Sequence, residues 1–406
     1  MLEFLPLKQM EAFKKYPSYK GGVDQVLLFI TLCLIAIGII MVYSSSNMLA
    51  HKLYGDSYRY LKVQLIACLL GLIGMLVVSY IPYQYYEQYA KPILLISIVA
   101  LLLVFSPVGH YVRSSTGRQF HRWIRIGGMQ FQPVELAKLA LVIYVSQFLS
   151  RKSHKMHSLT RGVLPNVLIL SVVFILLYKQ PDFGSAVLLS SVVVVMLFVG
   201  GARLSQVVLI MGIAGFFVYS SVKGDDYKMQ RFHDFVQSLQ SPYTANYQVT
   251  QSLSALALGG VFGVGIGNSN KLFSLPYPHT DFIFSILGEE LGFLGCLSVI
   301  ILFMLLIWRG VHIALNVQDD FASLTAIGIS TIIGLQTFVN IGVVTGILPT
   351  KGITLPFISY GGSSLLMSLI HVGVLLNISR GMGREETEKL MKAKLGASRQ
   401  KFFPSL

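Results

Sequence analysis

The sequence predicts an all-α polytopic membrane protein with about ten transmembrane helices, both termini cytoplasmic, and a large extracytoplasmic loop between helices 7 and 8. Three observations carry that expectation. Apolar residues fill 54% of the 406 positions, charged ones only 12%, and mean hydropathy is +0.66, far outside the balance of a soluble domain. The apolar residues gather in runs close to the ~20 residues that a helix needs to cross a bilayer. Lipid offers no water to backbone polar groups, so runs this apolar must close their hydrogen bonds within helices.

The runs lie at 23–43, 61–80, 91–106, 135–150, 163–178, 185–201, 204–222, 283–308, 321–346 and 364–380. The first follows a polar tail, residues 1–22, with Lys8, Lys14, Lys15 and Lys20; it is too long for a signal-peptide core and reads as a retained helix. Alternation from a cytoplasmic start puts 44–60, 107–134, 179–184, 223–282 and 347–363 outside. The tail 381–406 then lies inside, where Glu385 and Lys389 have i,i+4 spacing. Only a modest majority of the 32 Lys and Arg falls on the side of the termini, so the positive-inside bias is weak. Outer cations such as Arg118, Arg122, Arg125, Lys138, Lys179, Lys271 and Lys351 therefore suggest an anionic ligand on that face. Arg113, Lys228 and Arg231 read more simply as solvated loop charges. The net charge of +14 follows from topology, and no nucleic-acid partner is expected. Cys33, Cys68 and Cys296 sit inside apolar runs, without disulfide or metal spacing.

Four polar constellations stand out. Pro276 to Phe282 is a proline-stiffened approach that delivers Asp281, with His279 and Thr280, to the mouth of the next apolar run. A boundary carboxylate is costly and points to function, although Thr280 or Asp281 would also serve as an ordinary helix N-cap. Glu289 and Glu290 follow inside the apolar run, where acids must face a cavity or a partner. Arg122-Trp123-Ile124-Arg125 precedes Glu135 and Lys138; it fits a short amphipathic interfacial helix, and the latter two fit a plain i,i+3 pair. Gln180-Pro181-Asp182 is a sharp turn in which Asp182 fits a cap. Leu348 to Ser364, rich in proline, glycine and hydroxyls and containing Lys351, Ser359 and Tyr360, reads as irregular backbone walling a polar cleft.

Other patterns fail on context. The glycine run 259–267 lacks the last glycine and the preceding strand of a dinucleotide loop, and Ser398 to Lys401 has a penicillin-binding spacing but lies in a tail. The nine histidines are dispersed.

The runs PTKGITLPFISYGGSSLL (349–366), PHTDFIFSILGEELGFLG (278–295), KQPDFGSAVLL (179–189) and RWIRIGGMQFQPVELAKLAL (122–141) together resemble the SEDS (shape, elongation, division, sporulation) family of bacterial peptidoglycan glycosyltransferases. The resemblance covers residues 23–380, with the motifs in family order, and the wording around Lys351 is nearer the division branch than the elongation branch. It implies a ten-helix fold in the bacterial cytoplasmic (inner) membrane, at the division septum. It also implies polymerisation of lipid II on the outer face. The essential acid falls on Asp281, and Arg122, Glu135, Lys138, Asp182, Lys351, Ser359 and Tyr360 fall on other recurrent positions. Trp123, His279, Thr280, Glu289 and Glu290 join them as candidate substrate-binding residues. Expected partners are a class B penicillin-binding protein (an FtsI-like transpeptidase), other divisome membrane proteins and membrane lipid. No cofactor is certain; Mg²⁺ or Mn²⁺ at Asp281 is the candidate. The expected chemistry is inverting glycosyl transfer with Asp281 as general base, against alternatives of a lipid II flippase, an elongation-type polymerase or a noncatalytic scaffold.

Overall fold

The computed structural model describes residues 22–107, 109–113, 119–126, 129–224, 229–230, 233, 235–237, 247–272, 274–350 and 352–381. Lys351, Arg118, Lys228, Arg231 and nearly all of both tails, including the Glu385 and Lys389 pair and Ser398 to Lys401, lie outside the described residues. Helices follow in the order α1 (Gln25–Tyr54), α2 (Arg59–Tyr80), α3 (Tyr83–Gln88) and α4 (Ala90–Leu103). Strands β1 (Gly109–Arg113), β2 (Gln119–Ile126) and β3 (Met129–Phe131) come next. Then follow α5 (Pro133–Lys152), α6 (Leu164–Lys179), α7 (Phe183–Val199), α8 (Leu204–Lys223), α9 (Tyr247–Gly259), α10 (Ile283–Asn316) and α11 (Asp320–Val344). The last described helix, α12, spans Gly362–Gly381.

Seven of these helices are long and apolar enough to cross a membrane, and the runs at 91–106, 185–201 and 204–222 give shorter apolar helices. α5, α11 and α12 form the buried centre of the bundle, whereas α2, α6 and α10 turn most of their apolar surface outward. That outward surface is the expected state of a helix whose solvent is lipid. All three cysteines are free.

α1 outruns its expected end at residue 43 by three turns. The polar Ser44-Ser45-Ser46 stays helical because Ser45 and Ser46 return their hydroxyls to the carbonyls of Met41 and Val42, while Ser44 reaches a partner on another helix. The stretch expected as an outer loop or amphipathic helix around Arg122 is instead a three-stranded antiparallel sheet in the order β1-β2-β3, with Trp123 opposite His110. Alternation of Phe120, Arg122, Ile124 and Ile126 with His121, Trp123 and Arg125 is the two-residue period of a strand, and it outweighs the interfacial-helix reading. The expected single loop 223–282 likewise contains α9, which buries Val249, Ser252, Ala255 and Gly259 at helical spacing.

The glycine run after α9 packs into a break in α10. Gly292 adopts φ 68° there, a conformation open to glycine, and the helical ladder is interrupted. The inserted segment takes over the broken bonds. Val264 and Gly265 donate to the carbonyls of Glu289 and Glu290 at 2.9 and 3.0 Å, and Phe293 and Leu294 donate back to Gly260 and Val261 at 2.9 and 3.2 Å. This is how irregular backbone survives between apolar helices: groups released at the break find protein partners in the inserted segment.

The helices run between two ends. At one, Arg309 late in α10 bonds Asp24, the N-cap of α1, and Ser379 late in α12 accepts from the Asp24 N–H at 3.1 Å. The other end therefore gathers the close of α1, the starts of α2, α10 and α12, and the link between α11 and α12.

Candidate active site

Asp281 lies at this second end, two residues before α10 begins at Ile283. Neither Thr280 nor Asp281 is its N-cap; that position belongs to Phe282, and no side chain bonds the first turn. The capping alternative thus fails, which leaves the Asp281 carboxylate available for something else.

The backbone around Asp281 is fixed from two directions. Asn340 of α11 donates through Nδ2 to the carbonyls of Asp281 and Ile353, at 2.9 and 2.8 Å. Ser359 Oγ donates to the Thr280 carbonyl at 2.7 Å while accepting from Leu355 N at 2.8 Å, and Tyr360 N donates to the His279 carbonyl at 2.9 Å. Gln64 of α2 completes the clasp, donating to the Ser359 carbonyl at 3.2 Å and accepting from Gly361 N at 3.3 Å. The irregular link from Leu348 to Gly361 is thereby held against the Pro278–Asp281 turn, with Ile353, Leu355, Phe357 and Ile358 buried beneath it.

The carboxylate itself is half-buried and meets no hydrogen-bond donor among the described residues. Gly352 passes so close that a Cβ there would stand 3.0 Å from Asp281 Oδ2, so any side chain would push the carboxylate aside by a few tenths of an ångström. Desolvation pushes the Asp281 acid up to about 6, partly opposed by the positive charge of Arg122. Arg122 is aimed by the sheet and by a hydrogen bond to the carbonyl of Pro181. The sheet in turn is tied to α12 through Ser363, which accepts from Gln132 N at 3.1 Å and donates to the Gln130 carbonyl at 3.0 Å.

His279 is buried under two tyrosines, its ring centroid 4.7 Å from Tyr60 and 5.5 Å from Tyr360. Burial holds its imidazole down at about 4, hence neutral at pH 7. Thr280 folds its hydroxyl back to the Tyr277 carbonyl at 3.2 Å. Trp123 is half-buried on β2, beside Arg122.

Other predicted site residues are occupied elsewhere. Glu135 and Lys138 form the expected i,i+3 pair at 2.7 Å, both buried in α5. Asp182 caps α7, accepting from Ser185 Oγ at 2.9 Å and Ser185 N at 3.4 Å, and reaches the site only through its neighbour Pro181. Glu289 accepts from Ser269 Oγ at 2.5 Å and Asn270 N at 2.8 Å, and Glu290 from Ser44 Oγ at 2.5 Å. Glu289 thus has protein donors on both oxygens, whereas Glu290 has one on Oε1 and its Oε2 is buried without a hydrogen-bond partner among the described residues. Sequence reasoning missed Tyr60, Gln64, Asn340 and Gly352; Gln64 and Asn340 are amides inside apolar runs, a signal of the kind that drew notice to Glu289.

Among the described residues no cluster of three His, Cys, Asp or Glu side chains could hold a metal ion. Asp281 alone suits a hard divalent cation only if water and substrate phosphates supply most of the shell, as is usual for Mg²⁺.

The profile of the family described as "Cell cycle protein", covering FtsW, RodA and SpoVE, matches residues 24–383. A protein named probable peptidoglycan glycosyltransferase FtsW from Trichlorobacter lovleyi is 42% identical over 378 residues, 92% of this chain and 97% of that one. Stage V sporulation protein E of Bacillus subtilis is 40% identical over 364 residues, 89% of this chain and 98% of the relative. Among solved structures, one from a peptidoglycan synthase complex that coordinates polymerization and crosslinking aligns with TM-score 0.72 at 27% identity, covering 89% of this chain and 98% of that chain. The rod shape determining protein RodA of Thermus thermophilus aligns with TM-score 0.65 at 28% identity, over 88% and 97%. With a profile spanning nearly its whole length and relatives this similar, the chain is a multi-pass membrane protein that belongs to the SEDS family and is FtsW-like within it.

Proposed function

We propose that this protein is a peptidoglycan glycosyltransferase that polymerises lipid II, with Asp281 as its general base. One observation carries the reading: hydrogen bonds to its own and neighbouring backbone hold Asp281 in place while its carboxylate, pushed up to about 6 beside Arg122 and Gly352, meets no hydrogen-bond donor among the described residues. A base with pKa near the operating pH is about nine-tenths ionised at pH 7 and still takes a proton readily. The names of the relatives supply the chemistry.

In the reaction, the acceptor sugar's 4-hydroxyl attacks C1 of the donor. Its proton passes to Asp281 Oδ as the new C–O bond forms; the bond from C1 to the pyrophosphate oxygen breaks, the diphosphate leaves with the electron pair, and C1 inverts. The leaving group is already a stabilised anion, so one carboxylate is enough where an inverting glycosidase uses two. General-base help contributes about 10²–10⁴-fold. Arg122 supplies fixed positive charge for the departing diphosphate, a contribution of comparable size. Lys351, next to Gly352 in the chain, is a second cation for that role, whereas Lys138 is neutralised by Glu135. Mg²⁺ or Mn²⁺, if required, would be held by Asp281 together with diphosphate oxygens and would add charge stabilisation there.

The chain is read as residues 1–22 and 381–406 in the cytoplasm flanking a ten-span domain in the bacterial inner membrane at the septum. Asp281, at the end away from Arg309 and Arg380, then faces outward. A class B penicillin-binding protein and other divisome proteins are the proposed partners, since the synthase complex above couples polymerisation to crosslinking. The test is polymerisation of labelled lipid II by the purified chain with its transpeptidase partner. Asp281→Ala abolishes polymer while the protein still elutes as a folded species; polymer of normal yield and length would overturn the reading.

A further inference from the structure

A ledge of aromatic rings and one arginine leads away from Asp281, and none of its outer residues belongs to a recognised motif. Its inner end is His279, whose Nδ1 is buried with no hydrogen-bond partner among the described residues. Tyr60 lies 4.7 Å from that ring and 5.0 Å, edge-on, from Tyr360. Tyr54 stands edge-on to Tyr60, their ring centroids 6.1 Å apart. Arg59 closes the row, its guanidinium 4.1 Å from the Tyr54 ring centroid. Exposure rises along the row, from buried His279 through half-buried Tyr60 to exposed Tyr54 and Arg59.

The turn that presents Tyr54 and Arg59 is built, not loose. Asp56 accepts from Tyr58 N at 2.9 Å and pairs with Lys62 at 2.8 Å, so Lys62 is occupied. Arg59 makes no ion pair with any carboxylate among the described residues, and its guanidinium lies over the Tyr54 ring at an exposed position, so its N–H donors are accessible to an anion. A flat ring with an electron-rich face beside an uncommitted guanidinium suits a ligand with a sugar face and an anionic group.

We propose that Tyr54, Arg59 and Tyr60 form an acceptor-side subsite, in which the rings hold a sugar of the incoming lipid II and Arg59 holds its diphosphate. The assignment rests on the polymerase reading above. Arg122 lies in the field of the carboxylate, where the donor's diphosphate departs; the acceptor places its hydroxyl at the carboxylate and its own diphosphate a disaccharide away, as the ledge runs.

The test uses the full chain in two arms. With Asp281→Asn as parent, so that turnover is slow beside binding, binding is measured to vesicles containing lipid II and to vesicles of phosphatidylglycerol alone. Arg59→Ala weakens lipid II binding about tenfold, Arg59→Lys restores part of it, and Tyr54→Ala weakens it less. Binding to phosphatidylglycerol does not change. With Asp281 intact, Arg59→Ala raises the half-saturating lipid II concentration far more than it lowers the plateau rate. Lipid II binding equal to the parent's in both Arg59→Ala and Tyr54→Ala, or an equal loss on phosphatidylglycerol, overturns the subsite. Arg59-dependent lipid II binding in a chain that never polymerises leaves the subsite standing and removes the polymerase reading instead.

Discussion

Asp281 and the Glu289–Glu290 pair lie within ten residues of one another, yet they are opposites. The glutamates are wholly buried and bond protein donors, Glu289 through both oxygens and Glu290 through Oε1 alone, fastening the glycine-rich segment and α1 to the break in α10. Asp281 is less buried and its carboxylate bonds no donor among the described residues, while Asn340, Ser359 and Tyr360 hold its backbone and that of its neighbours. Burial of an acid therefore does not identify a catalytic group. What sets the proposed base apart is a fixed main chain with neither carboxylate oxygen bonded among the described residues, at a half-buried position open to a substrate, where Glu290 is fully enclosed.

Substitution should separate the two regions most sharply. Asp281→Asn is expected to lower polymerisation by about 10²–10⁴-fold with folded yield unchanged. Glu289→Ala should do the reverse, removing two hydrogen bonds to a charged group worth about 1.5–3 kcal/mol each. Folded yield and Tm then drop, and the molecules that do fold polymerise at close to the parental rate. Size-exclusion yield read beside the lipid II assay distinguishes the patterns, and parallel losses in both variants would erase the contrast. A smaller effect is expected at Gly352. Its alanine variant should fold normally but displace the carboxylate, costing about tenfold to a hundredfold in rate. Least of all, Ser359→Ala loses the clasp on Thr280 and should cost about 1–2 kcal/mol of stability with a few-fold loss of rate.

The helices were largely legible in the sequence because hydropathy reports lipid burial directly, and Asp281, the proposed base, was legible as a carboxylate at the edge of an apolar run. Helix α9 was partly hidden, since its apolar face is narrow and lies in a polar stretch. The sheet was hidden because Arg122 and Trp123 suit an interfacial helix equally well until the two-residue alternation is given weight. Residues whose work is to hold backbone, such as Asn340 and Gln64, carry no motif of their own; their role appears only when residues 59 positions apart, as Asn340 and Asp281 are, come into contact. Tyr54, Arg59 and Tyr60 were invisible for the same reason, being brought to His279 by the return of a distant loop.

The most direct test of the central claim is the pH dependence of kcat/KM for lipid II, which reports the ionisation of groups in the free enzyme. Asp281 must be ionised to accept the proton, so the rate should rise through pH of about 6 and level off above it. Arg122 favours the ionised form, and Arg122→Gln should therefore move this acidic limb to higher pH as well as lowering the plateau. A profile flat from about pH 5 to 8, or a limb that stays in place when Arg122 is replaced, would contradict Asp281 as the base.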